Sequence, residues 1–326
     1  VRRDFRLHTL ARHAKMDAPD GESPMQEHAR DFVGYGRTPP DPRWPDGARL
    51  AVNFVVNYEE GSEYSFMDGD GRTETTLTDA GMGDSGVKGR DLAGESFFEY
   101  GSRVGFWRLF DLFAARSIPL TISGSALALE RNPQACAAIR AAGHEVMCHG
   151  WRWVNQFNLT EDEEREHIAR AVASLTRSVG ARPLGWYCRY GPSLNTRRLL
   201  AEEGGFLYDS NAYNDDLPYW TRAANRPHLV VPHTFATNDN KYARGWFGTS
   251  DDFFTWARDS FDVLYREGAR RPTMMSISLH LRVSGHPGRS AGVERFADYV
   301  LGHPDVWLCR RADVARHWIA THPPAQ

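Results

Sequence analysis

A chain of 326 residues with 41% hydrophobic and 25% charged residues has the makeup of a globular protein able to bury a large core. Its formal net charge of −3 argues against nucleic acid or an anionic membrane as a partner, and it holds no apolar run long enough to span a bilayer. The four cysteines, Cys136, Cys148, Cys188 and Cys309, are scattered without a CxxC pair, so no disulfide framework is expected and a reducing compartment is the simpler setting.

Residues 1–30 are polar and read as an arm outside the core, leaving 31–326 as a single domain. Arg49 to Asn57 is apolar and β-branched almost throughout, the pattern of a strand buried on both faces. The Gly- and Asp-rich stretch from Glu59 to Glu99 reads as a long connection, a kind that is usually functional or mobile. Phe106, Leu109, Phe110 and Phe113 predict a helix over 105–116, followed by a strand at 118–123. A helix is expected over 132–142, stopped by Gly143, then a short strand over 144–148. Thr160 with Glu163 forms a capping box ahead of a helix over 161–178. Beyond it the chain alternates: strand 183–188, helix 195–203, strands 206–208 and 228–231, helix 251–267, strand 273–279, helix 289–301, strand 306–309 and helix 312–319. Asp215 to Trp220 reads as an ordered loop with aromatic anchors. About seven alternations suit right-handed βαβ units, a barrel-like or wound α/β domain whose reactive groups collect at the C-terminal ends of its strands.

Three of those ends carry candidate chemistry. Glu59 and Glu60 close the first strand; adjacent carboxylates at a strand end splay, one toward the barrel mouth and one toward the wall, and in a pocket a carboxyl of raised pKa can take a proton from water. The bland alternative, a pair of solvated loop acids, is weakened by the apolar run before them. His149 closes a second strand and reads as ligand, base or structural donor. Trp151 and Trp153 read as packing or as a wall for a flat ligand. His280 closes a third strand, well placed as a general acid, and Arg282 and Arg189 are candidates for binding a carbonyl or carboxylate. For Arg189, Asn195, Asp209, Asp215 and Asp216 a structural role, such as the ion pairs loops routinely hold, is at least as good a reading. A thiol nucleophile at Cys148 or Cys188 is the weaker option, because buried cysteine commonly acts as a small hydrophobe. There is no GxSxG elbow, phosphate loop or HExxH motif.

Tyr58-Glu59-Glu60-Gly61, His149 to Trp153, Gly185-Trp186-Tyr187, Leu207 to Ser210 and Leu279-His280, in this order, resemble the polysaccharide deacetylase superfamily over roughly residues 45–320. The resemblance implies a distorted parallel (β/α) barrel of about seven strands. It implies Glu59 as base, Glu60 and His149 at metal-ligand positions and His280 as acid. Trp153 stands where that superfamily carries a second histidine, and Tyr187 where it usually carries an arginine. Within the superfamily, residues 33–40, 57–61, 149–153, 195–198 and 215–220 resemble the metal-independent allantoinases of bacterial urate breakdown. That likeness implies a cytoplasmic homotetramer of purine catabolism that opens a cyclic amide or ureide ring, with Glu60, His149, Trp153, Tyr187, Arg189, Trp220 and Arg282 contacting substrate and no cofactor. The stretch 188–193 departs from it.

A catalytic zinc keeps three protein ligands. Glu60 and His149 supply two and an indole N–H supplies none, so water activation by Glu59 alone is the expected route. Two alternatives stay open: a metal-dependent deacetylase or cyclic-imide hydrolase holding a divalent ion such as zinc at Glu60 and His149 with a third ligand from His144, His233 or an aspartate, and a non-catalytic small-molecule binding module.

Overall fold

Nine strands build one sheet in the computed structural model: β1 (Leu50–Tyr58), β2 (Leu120–Gly124), β3 (Glu145–Cys148), β4 (Gly185–Trp186), β5 (Tyr208–Asp209), β6 (Tyr219–Ala223), β7 (Arg226–Val230), β8 (Thr273–His280) and β9 (Val306–Leu308). The structure describes residues 30–82 and 87–324, so the proposed arm at 1–30 falls almost wholly outside the described residues. The order β6-β7-β5-β4-β3-β2-β1-β8 makes a parallel run of seven strands, β8, β1, β2, β3, β4, β5 and β7, with β6 antiparallel at the edge. Strand β1 is central: β8 pairs along one edge, and β9 then β2 share the other. All nine residues of β1 are buried, Asn53 and Asn57 included, whose side-chain amides donate to the Cys309 and Leu279 carbonyls. The sheet curls into a half-barrel, with seven parallel strands as in the distorted parallel barrel that the resemblance implies.

The helices are α1 (Leu92–Tyr100), α2 (Phe106–Ala114), α3 (Ala126–Glu130), α4 (Pro133–Ala141), α5 (Glu161–Val179), α6 (Thr196–Glu203), α7 (Asn240–Ala243), α8 (Ser250–Gly268), α9 (Leu281–Ser284), α10 (Pro287–Leu301) and α11 (Arg311–Thr321). The capping box at Thr160 and Glu163 starts α5, and Thr249 with Asp252 makes a second at α8. No helix among the described residues is long and apolar enough to cross a membrane. All four cysteines are buried and free.

The sequence reading did not anticipate the short helices α3, α7 and α9, nor α1 and β6. The stretch read as a connection ends in α1, capped by the Asp91 carboxylate accepting from the Gly94 N–H, and passes through a π turn at Gly101–Gly105 into α2. Only Gly94 and Phe98 of α1 are buried, so it shows little of an apolar face in the sequence. The aromatic loop at 215–220 runs into β6, which turns back through Ala224 and Asn225 at φ 48° and 58°. Such a turn normally announces itself as Asn-Gly or Asp-Gly, and Ala-Asn does not.

Candidate active site

Strand β1 delivers Glu59 and Glu60 to the C-terminal end of the sheet, beside His149 after β3 and His280 ending β8. The Glu59 carboxylate is 1% exposed. Its Oε1 lies 3.3 Å from His149 Nε2 and 3.5 Å from His280 Nε2, and its Oε2 lies 2.8 Å from Arg282 Nη1. That last contact is an ion pair rather than a directed hydrogen bond. Glu60 splays to the other side, as adjacent strand-end residues must. Its Oε2 accepts the Glu59 N–H at 2.9 Å, and its Oε1 accepts from Arg282 Nη1 at 3.0 Å. A Cβ on Gly101 would stand 2.7 Å from Glu60 Oε1, so the glycine of the π turn is what leaves room for this carboxylate.

Both imidazoles are oriented from behind. His149 Nδ1 is 2.6 Å from the Tyr187 carbonyl oxygen. A carbonyl only accepts, so Nδ1 carries the proton and Nε2 is turned to Glu59. His280 Nδ1 is 2.6 Å from Asp239 Oδ1, while Asp239 Oδ2 accepts from the His280 N–H and from Ser284 Oγ. Asp239 was not singled out from the sequence: it lies in a polar Asn-Asp-Asn run whose parallel bridge to β8, Asn238 with Ser278, is visible only in the fold. The Tyr187 ring stacks between His149 and His233, and His233 Nε2 is bonded to Ser278 Oγ at 2.8 Å.

The charges are strongly coupled. Burial works to keep Glu59 protonated, but Arg282 and then His280 and His149 outweigh it and hold its pKa well below the carboxylate range. Glu60 goes the other way: burial raises it, Glu59 adds to the rise, and Arg282 does not cancel them. The raised pKa expected of the proton acceptor therefore sits on its neighbour. Burial also opposes the imidazolium of His280, yet Glu59 and Asp239 prevail and its pKa is raised. Cys148 is pushed up to about 12 by burial and Cys188 well above its usual value, so neither is a ready nucleophile.

Arg282 is fully buried in the corner that the Phe98 and Trp153 rings make with each other, its Cζ 4.5 Å from the Phe98 centroid and 4.6 Å from that of Trp153. Trp153 is 2% exposed. Arg189 lies on the other side of the Trp153 ring at 3.6 Å, with Nη1 on the Trp153 carbonyl and Nη2 paired to Glu74 at 2.6 Å. It is committed to closing the chamber, not facing Glu59. Trp220 is not part of the cluster: its indole N–H donates to the His322 carbonyl at 2.6 Å from the edge strand β6. Asp209 is locked with Arg197 and His228 in a structural network.

The donor set does not fit a divalent ion. Glu60 is already paired with Arg282, and His149 Nε2 faces Glu59. His144 accepts the Leu120 N–H, away from these groups, and Asp239 serves His280. Among the described residues no three His, Cys, Asp or Glu side chains are grouped to hold a metal.

The chamber is shut. His149, His280 and Arg282 are all buried, and the segment after β1 is tied over them by arginines from three later loops: Arg131 to Asp68, Arg152 to Asp70 and Arg189 to Glu74. A cavity of about 360 Å³ opens behind Glu60, lined also by Glu63 and Phe98, but Glu59, His149 and His280 do not line it. Burial raises Glu63 to about 7. These ion pairs are the contacts that hold the segment after β1 in place. Glu74→Gln, which leaves Arg189 buried without its charge partner, is expected to speed amide exchange across residues 62–78, read by hydrogen-exchange mass spectrometry; unchanged protection there would show that Glu74 does not hold the cover.

Comparison with known proteins places these features. The polysaccharide deacetylase family profile matches residues 95–208. A Schizosaccharomyces pombe protein classed with the polysaccharide deacetylases is 40% identical over 316 residues, 90% of this chain and 98% of its own. A solved Pseudomonas aeruginosa PAO1 structure, also classed as a polysaccharide deacetylase, is 48% identical with a TM-score of 0.86, covering 91% of this chain and 99% of its own. The structure of the PuuE allantoinase is 46% identical, also with a TM-score of 0.86, covering 95% of this chain and all of its own, 100%.

Proposed function

The chain belongs to the polysaccharide deacetylase family, hydrolases of carbon–nitrogen bonds, and from that premise we propose that it opens a cyclic ureide or imide ring, allantoin or a related hydantoin, without an essential metal. The observation that carries the reading is the set of partners of Glu59: two imidazole Nε2 atoms on one oxygen and a guanidinium on the other, where a deacetylase would be expected to use an ion. The likeness to the PuuE allantoinase over 95% of the chain supports the substrate class.

In this reading Glu59 takes a proton from a water whose oxygen bonds to the ring carbonyl carbon. The C–N bond then breaks, and His280 gives its Nε2 proton to the departing nitrogen. The 3.5 Å gap between Glu59 Oε1 and His280 Nε2 lets the proton return and reset both groups. The oxyanion requires donors; Arg282 Nε and Nη2 are buried and have no hydrogen-bond partner in the protein. A metal would contribute several kcal/mol of charge stabilisation, and a strained, electron-poor ring asks for less of it than an acetamide does.

The test is turnover of allantoin, hydantoins, cyclic imides and N-acetylated glucosamine oligomers by chelator-treated protein. Ring opening that survives chelation is the expected result. Acetate release from the oligomers, lost on chelation and restored by zinc, would overturn the proposal.

Asp239→Asn tests the acid. His280 must be protonated to act, so the rate falls as pH rises through its raised pKa. Removing the Asp239 charge lowers that pKa, and the alkaline limb of kcat/KM should move to lower pH. The stability sign agrees: a histidine raised on folding contributes fully below its unfolded value, about 6.5, and the contribution is lost as pH rises through the folded pKa. A limb that stays in place in Asp239→Asn would remove His280 from the acid role.

A further inference from the structure

Two adjacent carboxylates, Glu59 at 1% and Glu60 at 3% exposure, cannot both be ionised in a protein interior without a cation beside them. One side chain meets both: Arg282 Nη1 lies 2.8 Å from Glu59 Oε2 and 3.0 Å from Glu60 Oε1. The guanidinium lies against both the Phe98 and the Trp153 ring, and the Arg282 backbone N–H also points to Glu60 Oε1 at 3.3 Å. Its remaining nitrogens, Nε and Nη2, are buried and unpartnered. A planar cation set in the corner of two aromatic rings, anchored through one nitrogen and keeping donors free on the other two, is a preorganised anion cradle.

We infer that Arg282 is the resident cation of this centre: its guanidinium fills the space between Glu60 and Trp153, Glu60 positions that arginine and does not ligate an ion, and Nε and Nη2 receive the negative charge that develops on substrate oxygen. This deepens the ring-opening proposal and rests on it for the identity of the anion, but the placement of the cation stands by itself. Trp153 acquires a specific function in the arrangement. A histidine there would bring a third ligand toward Glu60 and His149, whereas the indole offers a π face to the guanidinium and no lone pair to a metal.

The experiment separates the cation from the reaction. Chelator-treated wild-type protein and Trp153→His/Arg282→Met are titrated with Zn²⁺ and, in parallel, with Co²⁺, whose visible spectrum reports tetrahedral coordination. The wild type is expected to retain no stoichiometric ion. The double variant, freed of the guanidinium and given a third donor, is expected to take one ion per chain, at least roughly 100-fold more tightly. One ion per chain on the wild type, lost in Glu60→Gln, would overturn the inference. So would a folded double variant, by circular dichroism, that binds no better than the wild type. Should the double variant not fold, Arg282→Ala is offered methylguanidinium. A saturable rise in Tm, absent in the wild type and in Arg282→Ala/Glu60→Gln, is expected; no rise overturns the inference. None of these readouts requires substrate, so failure of the allantoin assay and failure of this inference are distinguishable.

Discussion

Glu59→Gln is expected to lower kcat on the preferred cyclic amide by a factor on the order of 10²–10⁴, with the fold retained. Glutamine keeps the shape, and the charge of Arg282 remains balanced by Glu60 at 3.0 Å. What disappears is the atom that takes the proton. The prediction is sharper than for a surface acid because Glu59 has no solvent to deputise for it and both imidazoles aim their Nε2 at the same oxygen. The low pKa of Glu59 keeps it ionised throughout the working range but makes it a weak base, so its competence depends on its cationic neighbours losing charge as His280 donates. Steady-state kinetics with circular dichroism decides the matter: a folded Glu59→Gln enzyme with undiminished kcat would move the base elsewhere, His149 being the next group in line.

The second large effect is on stability. Arg282→Met removes the cation between two buried carboxylates, and stranding a buried charge in this way costs roughly 3–5 kcal/mol. Methionine fills much of the volume that Arg282 occupies beside Phe98 and Trp153, so the loss reports charge more than packing. The penalty should depend on pH with a definite sign. Glu59 has a depressed pKa in the folded protein, so its contribution is present above the unfolded carboxylate value and is lost as pH falls through the folded pKa. The gap between wild type and Arg282→Met, measured by urea unfolding, should therefore be widest near neutral pH and shrink in acid as the carboxylates of the variant take up protons. A gap that is constant with pH would mean that Arg282 contributes packing alone. Loss of turnover in the same variant follows from the free Nε and Nη2 donors it removes.

Much of the site was legible along the chain because strand ends are local. An apolar run closed by Glu59-Glu60, a second closed by His149 and a third closed by His280 each carried their own boundary, and a parallel sheet brings such ends together whatever the loops do. The capping box at Thr160 was readable for the same reason: it is a contact between residues three apart. Trp220 was misplaced because a sequence likeness does not say which way a ring points; β6 turns it to the carboxyl-terminal helix. Arg189, expected at the substrate, is taken by Glu74, a partner 115 residues away that no spacing rule connects to it.

From the sequence alone came the class of fold, most of its strands along the chain and Glu59, His149 and His280 as candidates, since these follow from patterns repeating over a few residues. Tertiary structure alone decided that Asp239 orients His280, that Arg282 joins Glu59 to Glu60, and that the chamber is shut by Arg131, Arg152 and Arg189. The physical reason is that the energy of a charge depends on its distance to other charges and on how much water it has lost. Both quantities exist only once distant segments are packed together.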